Sequence, residues 1–225
     1  FAKEAEVTTY TNTEFYAGTF DNILLEPFST ALEDPAPLKF IVLHIQGSHQ
    51  DYKKRFPADQ AIFNSTQYRD TVGLSAADNR KKRDALAHYD NSIHYTDWLL
   101  DQLLVKLDTI PSSSLLYLSD HGERFFENKV LSCGHGYPSP TKQEMEVPFI
   151  LWCQNGCAPD IKQAHQKHRK TVFSSENTFY NLLTLLNIQT PDYKATLDIL
   201  SPAFKPYPVK VISTSKTVYS YFDLP

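Results

Sequence analysis

One stretch constrains this chain most: Leu115-Leu116-Tyr117-Leu118, an apolar run that passes directly into Ser119-Asp120-His121-Gly122-Glu123. A continuous apolar run, rather than strict alternation, predicts a strand covered on both faces of an α/β sheet. In such sheets ligands bind at the carboxyl ends of the strands, where Asp120 and His121 fall. A carboxylate and an imidazole supply oxygen and nitrogen donors, a pairing that suits zinc or manganese. Gly122 lets the backbone turn without crowding the site. The same pair would also serve as a helix cap and a loop-satisfying histidine, so its surroundings decide.

Those surroundings are organised as an α/β chain. Phe1 to Glu4 read as the tail of a helix and Val7 to Thr11 as a β-branched strand, so the chain opens within an element and is expected to be truncated at its N-terminus. Phe40 to Gln46 predicts a second buried strand, and it too ends in chemistry, at Gly47-Ser48-His49. A polar loop through Tyr52, Lys53, Lys54 and Arg55 follows. Apolar residues three or four apart, from Leu86 through Tyr89, Ile93 and Leu100 to Leu107, predict a helix over about 79–108, ended by Pro111. After the Asp120 strand comes a long loop carrying Gly134-His135-Gly136, then a strand at Val147 to Trp152 and a helix capped by Ser174 or Ser175. Val209 to Ser213 and Val218 to Tyr221 predict a closing hairpin. Strands alternating with helices indicate a three-layer α/β/α sandwich, and residues 1–225 show no internal repeat or boundary, which predicts a single domain.

A chain of 225 residues supports a sizeable core. A formal charge of −4, with Arg80-Lys81-Lys82-Arg83 as the largest basic cluster, argues against nucleic acid as a partner. No apolar run approaches the roughly 20 residues of a membrane span. Cys153 and Cys157 bracket Gln154-Asn155-Gly156, a turn that would bring them together. Either a short-loop disulfide, which implies an oxidising compartment, or two buried thiols fit that spacing. The turn makes the disulfide the expected state, with Cys133 left over.

Four metal-capable side chains thus follow predicted buried strands: His49, Asp120, His121 and His135. Their spacing is that of neither a zinc finger nor an H-E-x-x-H helix, so only tertiary proximity would make them one site. Taken with Val42-Leu43-His44-Ile45-Gln46-Gly47-Ser48-His49, Tyr89-Asp90-Asn91-Ser92-Ile93, Ser119-Asp120-His121-Gly122-Glu123, His135-Gly136 and Val147-Pro148-Phe149-Ile150-Leu151-Trp152, in that order, the chain resembles the bacterial phosphoethanolamine transferases. These are zinc-dependent, membrane-anchored members of the alkaline phosphatase and sulfatase superfamily. The resemblance runs from Phe1 to about Pro202, and its most specific parts are H-x-x-G-S-H and S-D-H-G-E.

The resemblance implies an alkaline phosphatase-like fold in which Asp120 and His121 ligate zinc, while His49 and His135 bind the donor phosphate or a second zinc. His44, within a strand, is expected to be a core histidine. The implied reaction moves phosphoethanolamine from phosphatidylethanolamine, through a zinc-assisted threonine, to a lipid A or core-sugar hydroxyl at the periplasmic face of the inner membrane. A sulfatase, a phosphoglycerol transferase and a non-catalytic binding module are the alternatives. The family's glutamate ligand and threonine nucleophile precede H-x-x-G-S-H, and both are expected upstream of Phe1 together with a membrane-anchoring domain. Thr8, Thr9, Thr11 and Thr13 lie in a segment that the family places after the nucleophile's helix. Gln50-Asp51 replaces the family's usual Gly-Pro. The isolated chain is accordingly expected to bind zinc weakly or not at all, to lack transferase activity, and to self-associate or pair with a residual fragment through an exposed sheet edge.

Overall fold

Helix α1 (Leu25–Glu33) and the long helix α2 (Ala76–Leu107) dominate the first of two compact units, Phe1–Thr109 and Ile110–Pro225. The computed structural model describes residues 2–11, 19–126 and 133–225. Ser75 caps α2 through its hydroxyl, which accepts from the Asp78 N–H at 3.1 Å. The buried face of α2 is offset from the predicted leucine stripe. It runs through Ala87, Asn91, Tyr95, Leu99, Leu103 and Leu107, with Ser92 and Thr96 beside it, whereas Ile93 is exposed. Asn91 explains the offset. Its Oδ1 accepts from the Ile62 and Phe63 N–H groups, both at 2.8 Å, and its Nδ2 donates to the Phe63 carbonyl at 2.8 Å. A polar side chain is thereby paid for at the centre of the helix face by satisfying three backbone groups of the preceding loop.

Two predicted strands of this unit are corrected. Residues 8–10 are exposed, and no strand forms over Val7–Thr11. Residues 39–46 join no ladder among the described residues. Phe40 and Val42 are exposed on one side while Ile41, Leu43 and Ile45 are half-buried on the other. His44 points with the exposed set, so it is no core histidine. An apolar run predicts cover on both faces, but only a neighbouring strand and layer can provide it. Asp21 secures the end of this segment, accepting from the Gln46 N–H at 3.0 Å and the Gly47 N–H at 2.8 Å.

The second unit contains β1 (Ser114–Leu118), β2 (Arg124–Phe125), β3 (Cys133–Gly134), α3 (Lys142–Met145), β4 (Phe149–Cys153), α4 (Pro159–His168), α5 (Thr178–Leu185), β5 (Lys210–Ile212) and β6 (Val218–Ser220). β1 pairs antiparallel with β4, Leu116 facing Leu151, and β2 pairs with β3. The Asp120 strand is therefore an antiparallel ribbon strand, half-buried rather than covered on both faces. The expected closing hairpin forms from β5 and β6, and Ser174 caps the turn leading into α5. The core gathers Ile199, Leu200 and Phe204 against Phe149, Leu151 and Phe173. Cys153 and Cys157 are disulfide-bonded across the turn that ends β4, with Cα atoms 5.0 Å apart, and Cys133 is free and exposed.

Candidate metal centre

β1 delivers the chain to Ser119 and Asp120, and a tight turn then sets His121 and Glu123. The Ser119 hydroxyl donates to the His121 carbonyl at 2.8 Å, and the His121 N–H donates to Asp120 Oδ1 at 3.1 Å. Gly122 is pressed against α3: its N–H donates to the Glu144 carbonyl at 2.8 Å, and a Cβ there would meet the Gln143 carbonyl oxygen at 2.1 Å. Only glycine lets this turn lie on the backbone of α3.

The β2–β3 ladder pairs Arg124 with Gly134, which sets the residues flanking that pair, Glu123 and His135, beside each other. His135 Nδ1 lies 2.9 Å from Glu123 Oε1, and the Glu123 side chain is 3% exposed. The imidazole of His135 stacks on that of His121, with centroids 3.5 Å apart and planes 29° apart. His121 Nδ1 lies 3.0 Å from the Gly122 carbonyl. When each Nδ1 carries the proton of these contacts, each Nε2 keeps its lone pair for a ligand. One donor atom from each of His121, Glu123 and His135 lies within 4.8 Å of the others.

This donor set fits a zinc ion. Two imidazoles and one carboxylate are zinc ligands by chemistry. Glu123 Oε2 is also buried without a hydrogen-bond partner, a costly state for a carboxylate oxygen that a cation would relieve.

The residues expected from the sequence are distributed as follows. His121 and His135 come together. Asp120 borders them, its Oδ2 3.8 Å from His121 Nε2, but its side chain is 88% exposed and stands outside the three-residue cluster. His49 belongs to the first unit, at a turn in which its N–H donates to the Gln46 carbonyl at 3.1 Å. Arg55, buried rather than solvated in a polar loop, holds that turn: its Nε donates to the His49 carbonyl at 3.1 Å and its Nη2 to the Gln50 carbonyl at 2.7 Å. Thr8 and Thr9 are exposed and Thr11 is half-buried, while Thr13 and Phe1 lie outside the described residues. Glu123 is the site residue that sequence reasoning did not assign. It stands within the S-D-H-G-E motif, but nothing in the sequence shows that its carboxylate turns inward.

The sequence profile of the Sulfatase family matches residues 1–188. Phosphoethanolamine transferase CptA of Salmonella typhimurium is 31% identical over 209 residues, 91% of this chain and 36% of that protein. The crystal structure of the C-terminal periplasmic domain of EcEptC from Escherichia coli superposes with a TM-score of 0.79 at 26% identity, covering 96% of this chain and 61% of that one. A zinc complex of the same domain gives a TM-score of 0.77 at 25% identity, covering 96% and 60%. The fold class is thus α/β, of the alkaline phosphatase and sulfatase type. The chain spans 36% of the length of the curated relatives it matches. No helix of the described residues is long and apolar enough to cross a membrane.

Proposed function

The chain belongs to the sulfatase family, and from that premise we propose that it is part of the catalytic domain of a phosphoethanolamine transferase, working at the periplasmic face of the inner membrane. The donor is phosphatidylethanolamine and the acceptor a hydroxyl of lipid A or of a core sugar. The observation that carries this reading is the convergence of His121, Glu123 and His135 immediately after β1, in a chain whose named relatives are phosphoethanolamine transferases.

In this reading His121 and Glu123 hold a zinc ion, Asp120 joins them from the rim, His135 either completes that set or meets the donor phosphate, and the resemblance alone makes His49 a phosphate-binding candidate. Zinc bound there supplies Lewis acidity, screening charge on phosphoryl oxygens and lowering the pKa of an attacking hydroxyl. With its proton on Nδ1, His135 donates to Glu123 Oε1, which leaves the Nε2 lone pair for the ion. Gly122 keeps the turn that carries His121 packed on α3. Arg55 fixes the backbone of His49. No described residue is assigned as the group-transferring hydroxyl.

The test uses the full-length parent with a fluorescent phosphatidylethanolamine analogue, following diacylglycerol release and the mass of the acceptor. His121→Ala and Glu123→Gln are expected to lower turnover roughly 100-fold or more. Undiminished transfer by both variants would remove the site from the reaction.

A further inference from the structure

Arg124 follows Glu123 directly and is buried, with 7% of its side chain exposed, yet its guanidinium is no part of the donor set. Its guanidinium lies over the ring of Tyr137, 3.4 Å from the centroid, and its Nη1 donates to the Ser139 carbonyl at 3.3 Å. The same Nη1 stands 3.6 Å from Glu144 Oε2, whose side chain is 1% exposed. Glu144 is itself tied into the turn under the site: its Oε2 accepts from the Thr141 N–H at 3.0 Å, and its carbonyl accepts from Gly122. Tyr137, two residues after His135, donates from its hydroxyl to the Cys133 carbonyl at 2.8 Å. One side chain therefore touches the segment of His135 and the support of the His121 turn.

We propose that Arg124 is a positioning residue that clamps the His135 segment onto the His121 turn and so sets the approach of the two imidazoles. The stack on Tyr137 fixes the segment from one face, the Ser139 carbonyl fixes its height, and Glu144 anchors the guanidinium to α3. A planar fork that stacks and donates at once is needed, which lysine does not offer. This rests on the reading of His121, Glu123 and His135 as one site.

The clamp is tested in the full chain without metal, because the ring stack is visible without it. In two-dimensional spectra of the histidine ring protons, His135→Gln is expected to shift the His121 resonances, since rings 3.5 Å apart shield each other. In Arg124→Met/Glu144→Gln that mutual shift is expected to vanish while the circular dichroism melt stays cooperative. Replacing both partners avoids an unpaired buried charge, and Glu144→Gln keeps an amide oxygen to accept from the Thr141 N–H. Zinc affinity, titrated by calorimetry, is expected to fall tenfold to a hundredfold in the double variant. A double variant that keeps both the mutual shift and wild-type zinc affinity overturns the clamp. Absence of zinc binding by the wild-type chain, with the ring shifts behaving as expected, overturns the metal reading and leaves the clamp supported.

Discussion

The imidazoles of His121 and His135 lie face to face at 3.5 Å, one on the turn after β1 and the other just beyond β3. No local rule of turn geometry brings these segments together. The β2–β3 ladder does so, and Glu123 locks the second ring. Three donors converge where the sequence alone counts two metal ligands. Zinc titration of the isolated chain is therefore expected to give one site that His135→Ala and Glu123→Gln each weaken about tenfold or more. Equal affinity in wild type and both variants would show that the ion, if bound, sits elsewhere.

Gly122→Ala is expected to be damaging for a reason unrelated to flexibility. The new methyl would stand 2.1 Å from the Gln143 carbonyl oxygen and 2.9 Å from that of Glu146, and neither backbone atom can swing aside as a side chain would. Overpacking of this kind costs about 1–3 kcal/mol. Urea melts should show the loss as a lower midpoint with an unchanged slope, and zinc affinity should fall with it.

Asn91→Ala removes the shared acceptor of Ile62 and Phe63 and the donor to the Phe63 carbonyl. Water can reach part of this loop, because Ile62 is 55% exposed, so the expected loss is about 2 kcal/mol rather than the full cost of three stranded groups. Hydrogen exchange at Ile62 and Phe63 should accelerate more than exchange at the centre of α2. Unchanged protection there would show that Asn91 does not hold the loop.

Cys153 and Cys157 close a loop at the end of β4. A loop this short restricts the unfolded chain modestly, by about 2 kcal/mol in the chain-entropy model. Cys157→Ser should lower the thermal midpoint accordingly without altering zinc affinity. Thiol titration of the unreduced, unfolded protein should find Cys133 as the one reactive cysteine, and three reactive thiols would contradict the bridge.

The hydroxyl of Tyr221 donates to Glu146 Oε1. That hydrogen bond to a carboxylate, with burial and the same negative charge, pushes the phenol up from 10.0 to about 12. A folded value above the unfolded one favours the folded state fully below about pH 10, and the contribution is lost as pH rises from there towards about 12. Tyr221→Phe is expected to lower stability at neutral pH and to flatten this alkaline decline. Identical pH–stability curves for the two proteins would mean the bond contributes nothing in solution.

The sequence by itself determined the elements whose signals are local. The repeat of apolar residues sets α2, the Ser174 hydroxyl sets the start of the segment leading into α5, and the Asn155-Gly156 turn sets the cysteine pair. It also carried His121, whose imidazole closely follows an apolar run, and His135, which the family resemblance singled out in a long loop. Tertiary structure alone decided what those side chains meet. Phe40 to Gln46 has the composition of a buried strand but lies half open, since cover is a property of neighbours and not of the segment. The sequence assigns no role to the Glu123 or Arg124 side chains, yet both are buried, one against His135 and the other against Tyr137 and Glu144. A charge is buried only where distant residues desolvate it and pair with it, and the fold makes that choice.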